Sequence, residues 1–171
     1  MNDDMTPAPV PPTCDLCDRF KGDTRGDFRV LPPVFREFGG RAEFSGPAVT
    51  VKCFEDNTSV KALLEGPGEG RVLVVDGAGS LRRALVGGNI GAAAARNGWA
   101  GVIVDGCVRD VAELAACDVG IRALAPMPLP TERRQPGLID QPVQIQGVTV
   151  RPGDWIRADA DGIVVMSAPP A

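Results

Sequence analysis

The chain has 171 residues, enough for one well-buried core and too few for two ordinary domains. It is 44% hydrophobic and 23% charged, as globular proteins are, and no apolar run approaches the roughly 18 residues of a membrane span. A net charge of -4, with scattered basic residues, argues against a nucleic-acid partner, whose binding domains carry a basic face.

Met1 to Pro12 is acidic and has four prolines in its last six positions, which predicts a disordered or extended arm over 1–12. It has neither the basic n-region nor the apolar h-region of a signal peptide, so a cytoplasmic location is expected. A single domain is expected over 13–168, followed by a tail over 169–171. Thr13 is placed to cap a short helix running to about Phe20. Within it, Cys14-Asp15-Leu16-Cys17 is a lone CxxC, open to metal or redox use or simply two small residues on a helix. The five cysteines, an odd number, suggest no disulfide framework. No histidine occurs, which removes Ser-His-Asp chemistry and the usual zinc-hydrolase sites, and leaves Cys107 without a base.

Phe28 to Leu31 reads as a short strand, and Arg41 to Phe54 as strand-rich, punctuated by Gly46-Pro47. Asn57 or Thr58 starts a helix with Val60, Leu63 and Leu64 on one side, stopped by Gly66-Pro67-Gly68. Arg71 to Gly77 and Ala100 to Gly106 are apolar runs ending in Asp-Gly, the grammar of buried parallel strands, each followed by a helical stretch. The first of those stretches would begin near Ser80; Asn89 to Asn97 and Asp110 to Cys117, closed by Gly120, are the others. Pro142 to Val150, Trp155 to Ala158 and Ile163 to Met166 look like further strands, with turns at Gly153-Asp154 and Asp161-Gly162. The whole predicts one α/β domain with a parallel βαβ centre flanked by antiparallel strands.

The chemistry-bearing residues cluster at the C-terminal ends of the parallel strands, where such sheets bind ligands. Gly87 and Gly88 allow close backbone approach, and the free N–H groups of the helix that follows, from Asn89 and Ile90 onward, point into the loop as an anion site. Alternatively the two glycines end a helix begun near Ser80. Gly77-Ala78-Gly79-Ser80 reads as a second cradle or as a tight turn; it is no Walker loop, and no GxGxxG occurs. Arg109 offers a planar fork for a carboxylate or keto-acid. Asp110 and Glu113, three apart, share a helix face and could hold one divalent cation, although each also suits a solvated helix start. An anion site beside a metal site points to Lewis-acid chemistry on a small acid. Asp159 and Asp161 lack the spacing of a Ca loop and read as turn residues. Arg82-Arg83 and Arg133-Arg134 read as solvated surface or a subunit contact.

From about Cys14 to Met166 the sequence resembles the RraA-like family, which includes class II 4-hydroxy-4-methyl-2-oxoglutarate aldolases and regulators of ribonuclease E activity. The resemblance is carried by Asp76-Gly77-Ala78-Gly79-Ser80, Arg82 to Asn89, Asn97-Gly98-Trp99-Ala100-Gly101 and Asp105-Gly106-Cys107-Val108-Arg109-Asp110. Gly88 and Arg109 enclose twenty residues, in keeping with the pattern Gly-X20-Arg-Asp-X2-Glu/Asp. The resemblance implies a swivelling β/β/α-type fold and a homotrimer, or a dimer of trimers, with sites between subunits. It assigns Gly87, Gly88, Asn89, Ile90 and Arg109 to a pyruvyl group. Asp110 falls to Mg2+ or Mn2+, and Glu113 to the same metal through water. Some members carry aspartate where this chain has Gly88; in those with glycine, the acid three residues after the Arg-Asp pair, here Glu113, takes the role. A carboxylate from a neighbouring subunit's C-terminal region has no obvious equivalent here.

The resemblance thus implies a divalent-metal-dependent class II pyruvate aldolase acting on 4-hydroxy-2-keto acids, with oxaloacetate decarboxylation as a second activity. Catalysis would fall on Arg109, Asp110 and Glu113, with Glu113 orienting a water that shuttles the C4-hydroxyl proton. A Schiff-base route is disfavoured, because Lys21, Lys52 and Lys61 all lie outside the site. The competing expectation is a non-catalytic regulator that binds ribonuclease E through its surface; such regulators tend to lack the aspartate after the arginine, and this chain keeps Asp110. A phosphate-binding module is a third, weaker expectation.

Overall fold

A computed structural model describes residues 9–171. The expected arm over 1–12 therefore falls mostly outside the described residues. Helix α1 (Thr13–Phe20) is followed by strands β1 (Phe28–Val30), β2 (Arg36–Glu37) and β3 (Phe44–Lys52). Helix α2 (Thr58–Leu64), β4 (Val72–Asp76), β5 (Ala84–Val86), α3 (Gly88–Arg96) and β6 (Gly101–Val108) form the centre. The chain continues through α4 (Val111–Ala115), β7 (Gly120–Pro126), β8 (Leu138–Ile139), β9 (Val143–Ile145), β10 (Val148–Val150), β11 (Trp155–Asp159) and β12 (Gly162–Met166).

Ten strands make one mixed sheet in the order β1-β12-β11-β3-β4-β6-β7-β2, with β5 beside β6 and β8 beside β3. Strands β3, β4, β6 and β7 run parallel, as their apolar runs require; all five residues of β4 and all eight of β6 are buried. The strands β1, β12 and β11 add an antiparallel wing. The result is the expected mixed α/β domain with a parallel centre and flanking antiparallel strands, its sheet curled between two cores. One core lies under α2, α3 and α4 and includes Val60, Leu64, Val75, Trp99 and Leu114. The other lies under the β9–β10 hairpin and includes Phe44, Val74, Ile103, Ile145 and Ile156. Each such fully buried side chain contributes about 1.5–3 kcal/mol.

Several local expectations differ. Thr13 is the first helical residue rather than a cap: its backbone N–H and hydroxyl both donate to Asp159, at 2.8 and 2.7 Å. Gly46-Pro47 does not interrupt β3; it marks the change from antiparallel pairing with β11 to parallel pairing with β4. The stretch after Ser80 is not helical but forms β5 beside the end of β6, so Gly87 and Gly88 begin a helix instead of ending one. Residues 116–119 are outside α4, which is only five residues long, and Gly120 opens β7. Strand β7 has no clear sequence signal, because the buried Arg122 breaks its apolar run.

Two docking contacts fix the frame of the site. Gly91 brings α3 onto α4, since a Cβ there would lie 2.5 Å from Leu114 Cδ2. The adjacent buried carboxylates of Asp76 and Asp105 hold the β9–β10 hairpin by accepting the N–H groups of Gln144 and Gln146, at 3.2 and 3.3 Å.

Candidate active site

Strands β5 and β6 end side by side, with Val86 opposite Val108, and the Arg109 N–H donates to the Val86 carbonyl at 2.9 Å. Both chains then turn at one sheet edge into α3 and α4. That juxtaposition brings Gly87, Gly88, Asn89, Ile90, Arg109 and Asp110 to the lining of one cleft of about 80 Å³. Gly87 is extended (φ -121°, ψ -172°) and caps α3 without a side chain. Its use as glycine is steric: a Cβ would sit 2.9 Å from Asp110 Oδ2 and 3.3 Å from Arg109 Cγ. The Gly91 N–H returns to the Gly87 carbonyl, while the N–H groups of Asn89 and Ile90 precede the first intrahelical acceptor and face outward as donors. The Ile90 side chain belongs to the core, so its part in the cleft is played by its backbone.

Asp110 is not within the helix, as its spacing to Glu113 suggests, but caps α4 in the left-handed conformation (φ 58°, ψ 48°). A non-glycine residue held there carries strain of about 1–3 kcal/mol, which is found where surrounding contacts over-determine it. Here Asp110 Oδ2 accepts the Gly88 N–H at 2.9 Å and stands 4.0 Å from Arg109 Nε. Glu113 lies one turn on, with its carboxylate against Gly88, in the space that a side chain on Gly88 would fill. The two acids thus flank one glycine from different backbone geometries.

Among the described residues no group of three or more His, Cys, Asp or Glu gathers as a metal cluster. The pair of Asp110 and Glu113 nevertheless fits Mg2+ or Mn2+. Such hard cations take one or two carboxylates and fill their shell with water, and both acids are exposed to it.

The cleft also includes residues that sequence reasoning assigned elsewhere. Asn57, read as a helix start, is buried and spans the site: its Nδ2 donates to the Leu85 carbonyl at 3.0 Å. Its Oδ1 accepts the Thr131 hydroxyl at 2.8 Å and Arg133 Nε at 3.1 Å. Arg133, read as solvated surface or a subunit contact, therefore lines the cleft together with Thr131 and Pro130. An exposed Arg-Arg pair gives no sequence signal for this; the anchor is 76 positions away.

The other candidates resolve into structure. The Gly77–Ser80 loop is a tight turn, with positive φ at Ala78 and Gly79 and its N–H groups already donated to Asp76, Asp105 and Gly77. Cys107 is buried, and burial pushes its thiol up, away from a reactive thiolate. Cys14 and Cys17 are free thiols on α1. Of the two expected turn residues, Asp161 lies in the turn, but Asp159 ends β11 and accepts the Asp161 N–H at 3.0 Å.

Fold and cleft define an α/β protein that gathers helix amides, two guanidinium groups and the Asp110 carboxylate in one cleft at the ends of its parallel strands. The RraA-like family model, described as Aldolase/RraA, matches residues 13–165, and the chain belongs to that family. It is 67% identical to a protein of Albidiferax ferrireducens named "Putative 4-hydroxy-4-methyl-2-oxoglutarate aldolase", over 94% of this chain and 96% of that one. Among solved structures it is similar to the RNA-processing inhibitor RraA from Thermus thermophilis, at TM-score 0.89 and 44% identity, covering 95% and 96% of the two chains. It is also similar to a Geobacillus kaustophilus protein named S-adenosylmethionine:2-dimethylmenaquinone methyltransferase, at TM-score 0.85 and 41% identity, covering 92% and 96%. One fold carries three differently named activities, so function has to be argued from the site.

Proposed function

We propose that this protein is a divalent-metal-dependent aldolase that cleaves 4-hydroxy-4-methyl-2-oxoglutarate-type 4-hydroxy-2-keto acids to pyruvate, with oxaloacetate decarboxylation as a second activity. The observation that carries the reading is the single cleft in which the α3 amides, Arg109 and a strained Asp110 converge. The name of the Albidiferax ferrireducens relative supports it.

Asp110, with Glu113 through water, would hold the cation, which when bound supplies Lewis-acid polarisation of the 2-keto group. Arg109 pairs with the pyruvyl carboxylate, and the Asn89 and Ile90 amides hold its oxygens, fixing C2 and C3 relative to the acids. Glu113, acting through a water, takes the C4-hydroxyl proton. The C3–C4 bond then breaks, the C4 carbonyl forms, and the electron pair passes into the C2 keto group as pyruvate enolate. Arg109 and the helix amides face the charge that accumulates, which is where preorganised donors lower a barrier most. Protonation at C3 releases pyruvate. Loss of CO2 from oxaloacetate leads to the same enolate, so one arrangement serves both substrates. The protein is proposed to act as a homotrimer or dimer of trimers.

The test is release of pyruvate from 4-hydroxy-4-methyl-2-oxoglutarate and from oxaloacetate by purified protein with Mg2+ or Mn2+. EDTA and Asp110→Ala should each abolish it, and Arg109→Ala should weaken pyruvate binding. Turnover that survives both EDTA and Asp110→Ala would sink the metal assignment. The alternative, a non-catalytic protein that binds and inhibits ribonuclease E, draws on the likeness to the Thermus thermophilis inhibitor. Asp110 favours the enzyme, since surface binding gives no reason to hold a strained carboxylate in a cleft.

A further inference from the structure

The cleft contains more positive charge than a monocarboxylate needs. Arg109 alone suffices for a pyruvyl carboxylate, yet Arg133 lines the same cleft. Among the described residues no carboxylate lies within ion-pair distance of Arg133. Its single hydrogen bond runs from Nε to the buried Asn57 Oδ1, at 3.1 Å. That leaves both terminal nitrogens of the guanidinium, the ones that form a fork with a carboxylate, without a protein acceptor.

The position of Arg133 is also fixed to a degree unusual for an exposed arginine. Thr131, two residues earlier, donates its hydroxyl to Asn57 Oδ1 at 2.8 Å and accepts the Asn57 N–H at 3.3 Å. The N–H groups of the two following residues, Arg134 and Gln135, donate to Asp56 Oδ2 at 2.7 and 3.1 Å. Asn57 is held in turn by the Leu85 carbonyl, in the strand that leads into the glycine loop. One buried amide therefore links the Arg133 guanidinium to the same strand that places Gly87, so the arginine and the glycine loop are held to a common support. Ordering a flexible cation before the ligand arrives lowers the entropy cost of using it.

We infer that Arg133 is the specificity-determining residue of the site, reading a second, distal carboxylate so that the cleft selects dianionic over monoanionic 2-keto acids. Arg109 and the α3 amides take the keto-acid end; the Arg133 fork takes a carboxylate at the far end, with the reacting carbons between them. A ligand lacking that carboxylate forgoes the two-pronged contact with an arginine already held in place, and that difference is what separates dianion from monoanion. The inference rests on the proposed keto-acid reading of the site but not on turnover.

The experiment compares binding and cleavage across charge. Calorimetry would measure 2-oxoglutarate against 2-oxobutyrate, in wild type and in Arg133→Ala and Arg133→Lys. Where turnover occurs, kcat/KM would be measured for 4-hydroxy-2-oxoglutarate against 4-hydroxy-2-oxopentanoate. Wild type should prefer the dianion, and Arg133→Ala should weaken the dianion by about 10- to 100-fold while changing the monoanion less than about threefold. Arg133→Lys, which keeps charge but loses the fork and the Asn57 contact, should recover only part of the loss. Equal losses for both ligands, or a wild type with no dianion preference, would overturn the inference. A wild type that binds dianions through Arg133 but releases no pyruvate from any keto acid would uphold it and remove the aldolase reading instead.

Discussion

Gly88 and Glu113 occupy one another's space. A Cβ on Gly88 would run into the Glu113 carboxylate, so a side chain at position 88 and the long acid at 113 compete for one volume. An aspartate at 88 on this background must push the exposed Glu113 carboxylate aside, at a cost of about 1 kcal/mol. Removing the Glu113 side chain should relieve most of it. Thermal unfolding of Gly88→Asp, Glu113→Ala and the double variant should therefore show favourable coupling, with the double variant losing less than the two single losses together. Additive losses would mean that the two positions do not share the space. The family resemblance implies Glu113 as the acid that accompanies glycine at 88; the structure adds that the two positions share one space, which no linear spacing contains. The left-handed Asp110 was equally illegible, because an acid beside a helix start reads as ordinary capping.

The segment of residues 130–135 reaches the cleft through Asp56. Burial raises the Asp56 carboxyl, but hydrogen bonds from the Thr58 hydroxyl and from the N–H groups of Arg134, Thr58 and Gln135 outweigh it and bring the pKa to about 2. With the folded value below the unfolded one of about 3.9, the stabilisation is fully present above about pH 4 and is lost as pH falls towards 2. Wild type should therefore lose thermal stability more steeply than Asp56→Asn between those pH values; parallel acid limbs would contradict the assignment. Elements were legible to different depths. Strands β4 and β6 announce themselves because burial on both faces demands unbroken apolar runs. The three residues of β5 do not, since Ala-Leu-Val suits a helix as well as a strand and only pairing with β6 decides. The 130–135 segment was invisible as site, because its anchors, Asp56 and Asn57, are more than 70 positions earlier.

At the scale of the molecule, Phe54 and Leu138 are 60% and 61% exposed and line one cleft where β8 lies beside the end of β3. Large apolar side chains grouped in this way favour contact with another chain. The proposed trimer predicts a sedimenting species of three or six times 17.9 kDa, shifted towards monomer by Phe54→Asp. A wild-type monomer at micromolar concentration would refute that assembly. The order of strands has a further consequence, in time rather than space. The first half of β3, Phe44–Pro47, meets its antiparallel partner only when β11 arrives more than a hundred residues later, and Thr13 waits for Asp159. A ribosome therefore exposes the growing sheet with this part of the β3 edge bare until β11 emerges. Strands β11 and β12 are inserted between β1 and β3, not added to the rim. The nascent sheet thus stays in the form most open to mispairing until β11 and β12 enter together.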